Sequence, residues 1–120
     1  MVKKVLVVDD SQAEIRLLQS MLQQGGFQAV AISDPTKTEE AIEAERPNVI
    51  LLDVVMPQRN GFQVCRDLKS QALYSNIPVI LVTSKSAPSD RYWGEQQGAN
   101  AFVAKPFTPD ELLSAVKRFV

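Results

Sequence analysis

The sequence predicts an α/β domain: a five-stranded parallel sheet with helices on both faces. Five short apolar runs rich in β-formers alternate with five segments of helical spacing. Each run leads into a segment long enough for a crossover helix, which parallel strands require and hairpins do not. Each of the five runs is also followed by a charged or hydroxyl residue, as strands are when their ends line a binding edge.

The first strand is Val5–Val8, unbroken and apolar, as strands buried on both faces are. Ser11-Gln-Ala-Glu14 follows as a capping box, with Ile15, Leu18, Met21 and Leu22 at helical spacing and Gly25-Gly26 as the stop. Phe27–Ile32 reads as the second strand. Asp34-Pro35, an N-cap with proline in the first turn, opens a helix through Glu45. Val49–Leu52 is the third strand, and the loop MPQRNG precedes a helix from Phe62 to Gln71. Pro78–Val82 is the fourth strand, followed by a polar helix with Tyr92 and Trp93 that Gly98 closes. Trp93 and Cys65 are expected to pack. Ala101–Ala104 is a short fifth strand. Thr108-Pro-Asp-Glu111 is a capping box for a last helix whose stripe is Leu112, Leu113, Val116 and Phe119.

Composition excludes several function classes. The 120 residues suit one domain, taken as residues 1–120, and 45% hydrophobic with 22% charged residues is ordinary for a globular chain. With a net charge of −1 and scattered Lys and Arg, there is no basic stripe for nucleic acid to follow. One cysteine, Cys65, forms no internal disulfide and fits a reducing cytoplasm. The absence of histidine removes the commonest zinc ligand and the commonest general base. The apolar run of MVKKVLVVDD is too short for a signal peptide, and no stretch reaches the length needed to cross a bilayer. The expectation is a cytoplasmic domain without membrane insertion.

The strand ends bring chemistry together. Asp9 and Asp10 follow the first strand, Asp53 the third, Thr83 and Ser84 the fourth, and Lys105 the fifth. Strand two offers only Ser33 and Asp34, as suits a strand at the sheet's margin. Carboxylates a few Å apart remain ionised together only if a cation offsets their repulsion. Oxygen donors without His or Cys select a hard divalent ion, with Mg²⁺ the natural choice. No GxxxxGK[ST] or GxGxxG motif is present, so no nucleotide cofactor is expected. The remaining phosphate source is the protein itself, because aspartate can form an acyl phosphate.

VVDD, LLDVVMPQRNG, VTS and KPF, in this order over the whole chain, resemble the receiver domain of two-component response regulators. The stand-alone CheY-like members are the most similar, and DRYWGEQQGA resembles the PilH branch linked to type IV pili and twitching motility. The resemblance implies the flavodoxin-like strand order 2-1-3-4-5. It implies that Asp53 accepts a phosphoryl group from a sensor histidine kinase of the CheA-like kind. Asp9, Asp10 and Asp53, with the main-chain carbonyl of Val55, would hold Mg²⁺. Thr83 and Lys105 would contact the phosphoryl group, Phe102 would turn inward as Thr83 moves, and the Lys105–Pro106 bond would be cis. The domain would be a switch rather than an enzyme, beyond slow loss of its own phosphoryl group. It would signal to a downstream protein target, such as a pilus motor or other apparatus of motility or phototaxis.

Blander roles compete for these residues. Asp10 is also a good helix cap, a role that Ser11 and Glu14 already fill. Thr83 alone is an ordinary strand residue. Val55 and Lys85 replace more polar or acidic residues of the best-known chemotaxis pattern, and valine cannot orient a water by hydrogen bonding. Two other functions share parts of the pattern. A small Mg²⁺-dependent phosphohydrolase of the haloacid dehalogenase type would carry DxD after the first strand, where this chain reads DDS. A flavin-binding module would need a phosphate loop there, and Asp9-Asp10 would repel the phosphate.

Overall fold

Five strands, β1 (Lys4–Val8), β2 (Gln28–Ile32), β3 (Val49–Leu52), β4 (Val79–Thr83) and β5 (Ala101–Ala104), form one sheet in the computed structural model, which describes residues 2–120. All pairings are parallel and the order is β2-β1-β3-β4-β5. Helices α1 (Gln12–Gln24), α2 (Thr38–Glu45), α3 (Gly61–Lys69), α4 (Pro88–Gln96) and α5 (Pro109–Lys117) make the crossovers.

Strand periodicity sorts the core into two layers. Leu6, Val8, Ile50, Leu52, Val79 and Leu81 face Ile42 of α2 and Val64, Cys65 and Leu68 of α3. Val5, Val7, Val49, Leu51, Ile80 and Val82 face Ile15, Leu18 and Leu22 of α1 and Leu112 and Val116 of α5. Each fully buried Leu or Ile contributes about 1.5–3 kcal/mol through removal of apolar surface from water. Burial also pushes the Cys65 thiol up to about 11, so it stays protonated and inert. No helix among the described residues is long and apolar enough to cross a membrane.

Several local details differ from the sequence reading. Asp34 caps a 3₁₀ turn at Pro35–Lys37 before α2 begins at Thr38. There the Asp34 carboxylate accepts from the Thr36 amide, and the Thr38 hydroxyl donates to the Pro35 carbonyl at 2.7 Å. Helix α3 ends at Lys69 rather than Gln71, with Ser70 as its C-cap, and the Lys69 ammonium donates to the carbonyls of Ser75 and Ile77 in the following turn at 3.2 and 2.9 Å. Strand β4 runs through Thr83, which is therefore its last residue. Trp93 is 48% exposed rather than packed. Helix α4 meets the sheet through Gly94, where a side chain would strike Leu81.

Candidate functional site

The carboxyl ends of β1, β3, β4 and β5 lie along one edge, because all strands run the same way. Oxygens of Asp9, Asp10 and Asp53 come within 4.8 Å of one another there. Asp9 is buried, Asp53 half-buried and Asp10 exposed, so the cluster opens to solvent on the Asp10 side.

Lys105 enters this cluster from β5. Its ammonium lies 3.3 Å from Asp9 Oδ2, 3.5 Å from Glu14 Oε2 and 3.7 Å from Asp53 Oδ2. Burial raises the Asp9 pKa, and the nearby Asp53 charge adds to this; the Ser11 amide and Lys105 only partly offset it. Burial works against the Lys105 charge, but Asp53, Asp9 and Glu14 outweigh it and raise its pKa. The site therefore concentrates more negative charge than its one ammonium neutralises. Three hard oxygen donors opening to water fit a divalent ion that keeps part of its hydration shell.

Backbone contacts fix the groups. Asp53 Oδ1 accepts from the Val54 amide at 2.7 Å, leaving Oδ2 toward Lys105. The Gly61 amide donates to the Val54 carbonyl at 2.8 Å, and a β-carbon at Gly61 would run into the Asp53 carbonyl. Glycine in the MPQRNG segment is thus a requirement of close backbone approach. Arg59 pins the same loop: it donates to Glu39 at 2.8 and 2.7 Å, to Asp67 at 3.0 Å and to the Pro35 carbonyl at 3.1 Å. The Lys105–Pro106 peptide is cis.

The remaining expected residues are placed as follows. Thr83 is fully buried, and its hydroxyl accepts from the Lys85 amide at 3.1 Å. The Lys85 side chain turns away to Asp90 at 3.1 Å. The half-buried ring of Phe102 lies beneath the Arg91 guanidinium, 4.8 Å from its centroid. Val55 is 62% exposed beside the cluster-bearing Asp53 segment. The predicted capping box of Ser11 and Glu14 forms only in half. Ser11 Oγ accepts from the Glu14 amide at 3.3 Å, but the Ser11 amide donates to Asp9 Oδ1 at 2.9 Å. Asp9 has taken the place of the Glu14 side chain, which turns to Lys105. Arg59 and Glu14 are the residues that sequence reasoning missed. The S-x-x-E spacing gave Glu14 a competing role, and no spacing marks Arg59.

Comparison with known proteins agrees with this geometry. Residues 5–117 match the family model of the response regulator receiver domain. The chain is 39% identical over 113 residues to protein PilH of Pseudomonas aeruginosa, covering 94% of this chain and 93% of that protein. It is 37% identical over 115 residues to the alkaline phosphatase synthesis transcriptional regulatory protein PhoP of Bacillus subtilis. There it covers 96% of this chain but spans only 47% of the regulator. Chemotaxis protein CheY4 of Vibrio cholerae superposes with a TM-score of 0.92 at 29% identity, covering 100% of both chains. The receiver domain of a sensor histidine kinase from Pseudomonas aeruginosa, solved with a magnesium ion coordinated in its active-site cleft, superposes at 0.89. Its identity is 26%, and the alignment covers 99% of this chain and 98% of that one. The phosphohydrolase alternative finds no support: the first strand ends in DDS, and the match across nearly the whole chain is to another family. By sequence, strand order and the convergence of acidic strand ends, this chain belongs to the response regulator receiver domain family.

Proposed function

We propose that residues 1–120 act as a stand-alone switch in the cytoplasm, in which Asp53 takes a phosphoryl group from a phosphohistidine on a sensor kinase. One observation carries the reading: carboxylates from two strand ends and the Lys105 ammonium from a third meet at one solvent-open edge. An Asp53 carboxylate oxygen forms the new bond to phosphorus as the phosphorus–nitrogen bond of the donor breaks. The imidazole leaves with the bond's electrons and takes a proton. Little else is needed beyond positioning and charge compensation.

Asp9, Asp10 and Asp53, with the Val55 main-chain carbonyl, would hold Mg²⁺. The ion when bound supplies positive charge that offsets charge on the phosphoryl oxygens. The protein's own groups do the rest. Lys105 pairs with a phosphoryl oxygen, and Thr83 exchanges its bond with the Lys85 amide for donation to that group. Its movement makes room for the Phe102 ring to turn inward from beneath Arg91. Phosphorylation then biases a two-state surface of α4, β5 and α5 toward a protein target.

The likeness to PilH favours a CheA-like kinase as donor and a pilus motor or related motility apparatus as target. Catalysis is limited to the domain's own phosphorylation and slow dephosphorylation. Phosphotransfer profiling against the host's purified histidine kinases tests this. One kinase is expected to label wild type within seconds to minutes and to leave Asp53→Asn unlabelled. Equal labelling of both would overturn the assignment of the acceptor.

A further inference from the structure

We infer that Glu14 is a positioning residue for Lys105, one that restrains the ammonium from Asp53 and so slows phosphorylation. The inference rests on the reading of Asp53 as acceptor. It begins with a broken motif: the Ser11 amide, which the Glu14 side chain would accept from in a full capping box, is taken by Asp9 Oδ1 at 2.9 Å. Glu14 turns inward instead. Its Oε2 is buried, has no hydrogen-bond partner among the described residues, and lies 3.5 Å from the Lys105 ammonium.

One positive charge thus faces three negative ones, at 3.3 Å from Asp9, 3.5 Å from Glu14 and 3.7 Å from Asp53. Asp53 is the farthest of the three. During transfer, charge gathers on the phosphoryl oxygens at Asp53, and Lys105 must move toward them. That movement takes from the buried Glu14 oxygen the one cation within 4.0 Å of it among the described residues, which is costly. Glu14 therefore stabilises the resting arrangement more than the reacting one, and an interaction stronger in the ground state slows the chemical step.

The test is a double-mutant cycle on phosphoramidate labelling, followed by intact-protein mass spectrometry at saturating Mg²⁺, so that changed metal affinity drops out. Glu14→Gln keeps shape and removes charge. In the Lys105 background it should speed labelling about threefold, the scale of a partly exposed ion pair. In a Lys105→Met background it should change nothing, because the restrained group is gone. Glu14→Met guards against a new hydrogen bond from the amide and should behave as Gln does. Labelling by Glu14→Gln at or below the wild-type rate overturns the inference. So does an equal gain with Lys105→Met, which would mean that Glu14 acts on reagent or metal through its charge alone. Asp53→Asn is run alongside: its labelling would remove the acceptor reading itself, whereas its silence with no Glu14 effect removes only the inference.

Discussion

Lys105 Nζ lies 3.3 Å from Asp9 Oδ2 although 96 positions separate the two residues, and the contact joins the first strand of the sheet to the last. Only the parallel arrangement brings these ends together. Asp10 and Asp53 complete a cluster whose charge the lysine does not balance. A divalent cation should therefore bind the folded state and stabilise it. At tenfold excess over Kd, Mg²⁺ should add about 1.4 kcal/mol. That corresponds to a Tm rise of about 5 °C for a domain of this size. Asp10 is exposed, so Asp10→Asn should fold, melt at least as high as wild type without metal, and lose most of the Mg²⁺ response. Differential scanning calorimetry with and without EDTA reads both effects.

Val55 is exposed two positions after Asp53, and its side chain presents no hydrogen-bonding group to a water approaching there. Val55→Asn should accelerate loss of the phosphoryl group about fivefold, the scale of a single hydrogen bond worth about 1 kcal/mol. Decay of isolated phosphoprotein after removal of donor measures it; a slower or unchanged rate removes this account of Val55.

Gly61 allows the start of α3 to lie against the Asp53 peptide, and a methyl group there would meet the Asp53 carbonyl. Gly61→Ala should cost about 2–3 kcal/mol in urea unfolding. Because the displaced backbone carries Asp53, labelling should slow as well. Gly26, left-handed at φ 89° but with open space around its missing side chain, provides a contrast. Alanine there should cost about 1 kcal/mol through backbone strain and leave labelling intact.

Arg59 joins the loop after Asp53 to α2 and α3 through Glu39 and Asp67. Hydrogen bonding to Arg59 holds the Glu39 carboxyl below its ordinary value of 4.5. A depressed carboxylate contributes stability that is present above pH 4.5 and lost as pH falls through the folded-state value. Arg59→Gln should therefore cost about 1–2 kcal/mol at neutral pH. The gap between variant and wild type should narrow as pH falls below 4.5. Urea denaturation across that range checks the sign.

The sheet was legible because burial on both faces leaves an unbroken apolar signature, which the runs at Val5, Val49 and Val79 all carry. The site was legible for a related reason: strand direction alone brings Asp9, Asp53 and Lys105 to one edge. Contacts that depend on choosing between equivalent partners were not legible. Both Asp9 and Glu14 are within reach of the Ser11 amide, and their spacing does not say which accepts. Arg59 finds Glu39 twenty positions earlier by long-range packing, which leaves no periodic trace. Trp93 looked like a core residue by type, yet Gly94 makes the contact because α4 sits too close to Leu81 for a large side chain.

Reductive trapping with borohydride after phosphoramidate treatment, followed by peptide mass spectrometry, tests the central claim most directly. An acyl phosphate at Asp53 should be converted to homoserine at position 53 alone, and only when Mg²⁺ is present. Conversion at another carboxylate, or equal conversion at Asp53 in EDTA, would contradict the account.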